Sequence, residues 1–265
     1  MSDGAGPEGA QPSGAMRAKL VLGAAAVVVA TIALFVSLNN DDSEVSTTIP
    51  SSTTSEPIDT TTTEPESTTT TTTTVAVPDP IYDTAVWPWA DTAQRFSDPV
   101  AAARSFAADY VGFTDPLMGE FLQGDSRSGE VEVKPRDNGP VTTVFVRQLG
   151  ADNSWFVLGS ATANIEVTEP TALSAIASPV TLAGRANAFE GNVNVTIRVD
   201  GKADPIAEGF VTGMMGEMGP FESAQEFPAP GGQPGQLGSI VFRTLSAEDG
   251  SVWEAGVVRV RFAAK

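Results

Sequence analysis

Carboxylates are the only acid–base side chains this sequence can bring to chemistry near neutral pH. Among 265 residues there is no histidine and no cysteine. That removes the Ser-His-Asp and Cys-His nucleophilic sets, thiol chemistry, disulfides, zinc fingers and iron–sulfur ligation together. A hard, oxygen-bound cation such as calcium remains compatible with the composition. The one carboxylate pair with suggestive spacing is Glu130 and Glu132. On a strand, residues i and i+2 share a face about 7 Å apart, a separation suited to glycoside hydrolysis. Lys134 and Arg136 follow directly, and no apolar pocket is visible nearby to raise either pKa. The pair therefore reads first as a solvated strand face and only second as a hydrolytic centre.

The remaining candidates divide between a site and plain structure. Asp200-Gly201 and Asp249-Gly250 offer acids at loop ends for calcium, but Asp-Gly is above all a turn former. Met214-Met215-Gly216-Glu217-Met218-Gly219 is apolar, flexible and loop-like, so it either plugs the end of a core or offers a soft contact surface, the plug being favoured. Phe189 and Trp253 read as core residues. Asn194-Val195-Thr196 matches an N-glycosylation acceptor but falls inside an expected strand. No residue is assigned as catalytic, cofactor-binding or metal-ligating, no cofactor is expected, and the chain is not expected to be an enzyme.

The elements that would carry these residues follow an uncharged apolar run, Leu20 to Leu38. As a helix it spans about 28 Å, close to the ~30 Å hydrocarbon core of a bilayer. Arg17 and Lys19 precede it and Asp41, Asp42 and Glu44 follow it, so the positive-inside rule places the N-terminus in the cytoplasm. Its length and its Phe35-Val36-Ser37-Leu38-Asn39 end favour an uncleaved anchor over a signal peptide. Residues 1–19 read as a disordered cytoplasmic tail. Residues 39–77 read as an extended Thr/Ser/Pro/acidic stalk, with seven acids and no base between 41 and 77. The net charge of -18 carries no footprint for nucleic acid.

Two folded units are expected beyond the stalk. In residues 78–168, Ser97, Asp98 and Pro99 form a helix start, and Val100, Ala103, Phe106, Ala107 and Tyr110 share one face before Gly112 and Pro116 end it. Strands are expected at 130–134, 141–149, 154–158 and 161–167, giving one helix on an antiparallel sheet, an α+β unit. Trp155 and Phe156 are adjacent and so face opposite sides of their strand, one of them open to exposure. In residues 169–265, strands at 173–177, 180–184, 193–199, 206–212, 221–227, 239–245 and 257–262 predict an all-β immunoglobulin-like sandwich.

Particular segments of this second unit carry a family likeness. Ser178-Pro179-Val180, Ala183-Gly184-Arg185-Ala186, Phe189-Glu190-Gly191-Asn192-Val193, Gly209-Phe210-Val211, Gly219-Pro220-Phe221 and Ser246-Ala247-Glu248-Asp249-Gly250-Ser251 resemble the Gmad2 family. This is the immunoglobulin-like domain of bacterial spore germination proteins, and the likeness covers about residues 171–263. The resemblance implies an extracytoplasmic bacterial module that binds something in the cell envelope, with no catalytic residues to carry over. The expectation is therefore a single-pass, membrane-anchored cell-envelope protein, N-terminus inside and domains outside, acting as a non-enzymatic binding module for a cell-wall polymer or another envelope protein. A carboxylate-dependent wall-glycan hydrolase and a single-pass sensory or sporulation and germination protein are the alternatives.

Overall fold

The computed structural model describes residues 80–231 and 235–263. The expected tail, Leu20 to Leu38 anchor and stalk lie outside the described residues, among which no helix is long and apolar enough to cross a membrane. The described chain is mostly antiparallel β-sheet with one short helix.

A segment opening with a 3₁₀ turn, Pro80–Tyr82, leads to helix α1, Pro99–Ser105. The cap is Asp98, whose carboxylate accepts a 2.7 Å bond from the Ala101 N–H, and Pro99 occupies the first turn where its missing N–H costs nothing. The helix widens into a π turn, Phe106–Val111, and stops at Gly112 in the left-handed region at φ 98°. Ala103, Phe106, Ala107 and Tyr110 are buried, as their spacing predicts.

Twelve strands follow: β1 Leu117–Gln123, β2 Ser128–Lys134, β3 Thr142–Leu149, β4 Ser154–Thr162, β5 Ile165–Glu169, β6 Ala175–Ile176, β7 Val180–Ala186, β8 Asn192–Val199, β9 Ala207–Thr212, β10 Gly219–Gln225, β11 Leu237–Leu245 and β12 Val252–Phe262. The main path runs β1-β2-β3-β4-β12-β11-β8-β9, and β10-β7-β5 forms the facing layer of the sandwich. The sandwich core sets Ile165, Leu182 and Phe221 opposite Ile197, Phe242 and Phe262, with Phe221 and Phe242 rings 6.2 Å apart.

The sheet continues across the boundary expected near residue 168, because Ser160 of β4 pairs with Val257 of β12. Val241, Val252, Ala255 and Val257 turn to the opposite side of the β11–β12 hairpin and share a core with Ala103, Phe106, Tyr110, Val144 and Trp155. β12 is covered on both faces, so most of its residues are buried, and the charged Glu254 and Arg259 are buried with their partners among them.

Several expectations are corrected. β1 was not expected, because Leu117-Met118-Gly119-Glu120-Phe121-Leu122-Gln123 is a largely exposed edge strand whose register slips between Met118 and Phe121, which hides its alternation. The break expected after Leu158 falls instead at Ala163-Asn164, and β12 begins at Val252 rather than Val257. Trp155 and Phe156 do face opposite ways, yet both are buried. Trp155 lies under α1, while the entry segment covers the far side, packing Tyr82 against Phe156 with ring centroids 5.1 Å apart.

That entry segment is stapled to the end of β12. Arg261 Nη2 donates to Asp83 Oδ2 at 2.9 Å, and Arg259 Nε donates to the Asp83 carbonyl at 2.9 Å. Arg259, almost fully buried, also forms a two-pronged pair with Asp200, at 2.6 and 2.7 Å.

Candidate functional site

The concave site lies at the turn end of the β11–β12 hairpin. The turn is built by its own sequence: Ser251 N–H and hydroxyl both donate to Asp249 Oδ1, at 3.0 and 2.7 Å, and Gly250 takes φ 73°. These bonds hold the Asp249 carboxyl below its ordinary value, the Ser251 hydroxyl contributing most. The hairpin register then slips between Thr244 and Leu245, because Thr244 pairs with Glu254 and Leu245 with Val252. Trp253 is the extra residue of this β-bulge, and a bulge re-aims its side chain off the ladder.

Trp253 thus enters the wall of a groove rather than the core expected for it. The Arg136 guanidinium lies over its ring at 4.6 Å and donates to Glu248 Oε2 at 2.6 Å. Opposite stands Phe189, also expected in the core but 55% exposed. It sits on the 3₁₀ turn Phe189–Gly191, where Glu190 and Gly191 take φ 53° and 68° and turn the chain sharply into β8. The Met214–Gly219 loop is tied to the same turn: Asn187 Oδ1 accepts from Gly216 N–H at 2.8 Å, and Ala188 N–H donates to the Met214 carbonyl at 2.9 Å. Met215 is 66% exposed, so it does not plug the sandwich end. Together these residues line a groove of about 410 Å³.

Beneath the groove lies Glu254, only 2% exposed. Thr162 Oγ1 and Thr244 Oγ1 donate to its carboxylate, the latter at 3.2 Å, and Asn164 Nδ2 approaches both oxygens at 3.3 and 3.1 Å. All three partners are neutral. Burial pushes the Glu254 pKa above 4.5, more strongly than those hydrogen bonds pull it down. Sequence reasoning passed over Glu254. Its signal is a lone acid inside Val252-Trp253-Glu254-Ala255-Gly256-Val257-Val258, where an isolated charge in an apolar strand must find buried partners.

The structure leaves the other candidates elsewhere. Val131 and Val133 fill the core, so Glu130 and Glu132 lie on the opposite face of β2, the first half-buried and the second exposed, and neither lines the groove. Asp200 is both a turn residue, followed by Gly201 at φ 75°, and the counter-ion of Arg259. Asn194, Val195 and Thr196 lie within β8, the last two buried. Among the described residues no group of three or more acids is placed to hold a metal ion.

With the sandwich and its groove in view, the family comparison is specific. Residues 164–251 match Gmad2. The family is described as an immunoglobulin-like domain of bacterial spore germination. The matched segment runs from Asn164, just before β5, to the hairpin turn, so it contributes Asn164, Asn187, Phe189, Met215 and Glu248 to the groove, while Arg136, Trp253 and Glu254 lie outside it. The match opens a few residues before the segment carrying the resemblance, and stops at residue 251, just before β12 begins. No curated protein and no solved structure matches the chain.

Proposed function

We propose that this is a non-enzymatic protein of the bacterial cell envelope, anchored through Leu20 to Leu38 with its folded part outside the membrane, whose groove binds a wall component or another envelope protein. The groove itself carries this reading. It brings together exposed Phe189 and Met215, a built turn and a buried carboxylate in a concavity of about 410 Å³, within the range of ligand sites.

The placement of the groove supports the reading as well. The chain reaches the described fold through the segment stapled at Arg259 and Arg261, near the end of β12, whereas Glu254 and Trp253 stand at its start. Seven residues of strand separate Glu254 from Arg261, roughly 20 Å. Entry point and groove therefore occupy opposite ends of this strand, the arrangement a tethered binding module needs. The Gmad2 match adds a family described from spore germination, which makes germination one setting for such a module.

The test uses the full-length chain. Protease added to intact cells is expected to degrade the folded part while sparing a cytoplasmic marker, and the protein held in phosphatidylcholine nanodiscs is expected to co-sediment with purified wall sacculi that keep their associated proteins. Phe189→Ser combined with Met215→Ser, both exposed, should abolish co-sedimentation without altering the circular dichroism spectrum. Protection from protease would overturn the topology, and unchanged co-sedimentation of the double variant would overturn the groove.

A further inference from the structure

We propose that the groove docks a peptide segment of a protein partner in which apolar side chains are interspersed with lysine or arginine. This rests on the groove being the binding site and names the chemistry of its occupant.

The apolar half of the argument comes from the lining. Phe189 and Met215 are more than half exposed, and Met214 and Leu245 are exposed beside them. Thioether side chains are flexible and polarisable, so they adapt to irregular apolar side chains. One face of Trp253 is covered by the Arg136 guanidinium at 4.6 Å, so Phe189 is the exposed ring of the groove and its exposed neighbours Met215 and Leu245 are not planar, a lining that favours irregular apolar side chains over a stacked sugar. A groove of about 410 Å³ has room for two or three side chains, so a short segment suffices to fill it.

The charge half comes from the rim. Glu190 adjoins Phe189, Glu217 follows Met215 by two residues, and Glu248 and Asp249 form the hairpin turn, all four exposed. Glu254 lies beneath with only neutral partners. Against these stand Arg136, already engaged by Glu248 at 2.6 Å and by the Trp253 ring, and Arg185, whose guanidinium is engaged by the Met218 carbonyl at 2.7 Å. No ion pair to Glu190, Glu217, Asp249 or Glu254 occurs among the described residues. A groove with exposed apolar anchors, flanked by turns that carry Glu190, Glu217 and Asp249 without an ion-pair partner, is complementary to a segment that is apolar at its anchors and cationic beside them.

The experiment measures fluorescence anisotropy with the full-length chain in phosphatidylcholine nanodiscs, empty nanodiscs serving as the blank. The ligands are a labelled eight-residue peptide alternating leucine and lysine, its leucine–glutamate counterpart, and the N-acetylglucosamine–N-acetylmuramic acid disaccharide. The leucine–lysine peptide is expected to bind at least tenfold more tightly than the glutamate one, about 1.4 kcal/mol or more. Phe189→Ser with Met215→Ser, and separately Glu190→Lys with Glu217→Lys, should each weaken it by about tenfold. Asp204→Lys with Glu226→Lys, the same charge change at the far ends of β8 and β10, should leave it unchanged.

Equal affinity for the two peptides, or an equal loss in the far-end variant, overturns the proposal. Disaccharide binding that disappears with Phe189→Ser and Met215→Ser also overturns it, while leaving the groove as the binding site. Binding of none of the three ligands removes this inference alone if the wall co-sedimentation persists, and both readings if it does not.

Discussion

Glu254 concentrates the chemistry of the site in one residue. A carboxylate 2% exposed, held by two hydroxyls and an amide, keeps its proton to a higher pH than a glutamate in the unfolded chain, because burial disfavours the charged form. Between 4.5 and the raised native value the folded protein binds more protons than the unfolded one, so the stability this group contributes is full below that window and is lost as pH rises through it. Glu254→Gln keeps the shape and removes the titration. Thermal melts from pH 4 to 8 are therefore expected to show the variant gaining on the wild type as pH rises; a difference independent of pH would show that the carboxyl is not perturbed. Trp253 makes a related point. Its place in the groove wall, half-buried, follows from a register slip of one residue in the hairpin, a feature that leaves no mark on hydropathy.

At the scale of elements, β5 and β7, antiparallel neighbours in one layer of the sandwich, come unusually close at Gly184, beside the register slip of β5 between Val167 and Glu169. A Cβ added at Gly184 would lie 2.0 Å from the Glu166 carbonyl oxygen and 2.7 Å from the Phe221 ring. The first obstacle is backbone and cannot step aside. Gly184→Ala is expected to cost about 2–3 kcal/mol in a chemical denaturation experiment. Gly256→Ala, where the nearest atom is the Ser160 carbonyl oxygen at 3.8 Å, should stay within about 0.5 kcal/mol of wild type. Comparable losses in the two variants would mean that close packing of β5 on β7 is not what requires the glycine.

At the scale of the molecule, the β11–β12 hairpin belongs to two cores at once. Phe242 and Phe262 face the sandwich, while Val241, Val252, Ala255 and Val257 face α1 and the sheet of β2 to β4. Tyr110 reaches across to hydrogen-bond Ser239 of β11, and burial pushes its phenol up to about 12. Exposing the four aliphatic side chains would cost on the order of 5 kcal/mol, comparable with the whole stability of a small domain. Residues 169–265 expressed alone are therefore expected to lack a cooperative thermal transition and near-ultraviolet dichroism, both of which residues 78–265 should show. A cooperatively unfolding 169–265 fragment would show that the sandwich needs no cover. The continuous sheet also bears on function, since Arg136, just after β2, and Glu254, in β12, line one groove.

The sequence by itself determined whatever depends on local pattern. The helix start at Asp98-Pro99, the buried stripe through Ala103, Phe106 and Tyr110, the turns at Asp200-Gly201 and Asp249-Gly250 and most strands of the sandwich follow from spacing and turn chemistry, which act over a few residues. The absence of histidine and cysteine likewise bounded the chemistry before any fold was considered. Only the tertiary structure decided which faces are covered and which open. Phe156 is buried because residues some seventy positions earlier fold over it, and Phe189 is exposed because a tight turn carries it past the end of the sandwich. The groove gathers Arg136, Asn164, Asn187, Met215 and Glu254 from five separate stretches of chain. Their convergence is a property of strand order and register, which depend on contacts between distant residues and so leave no local pattern to read.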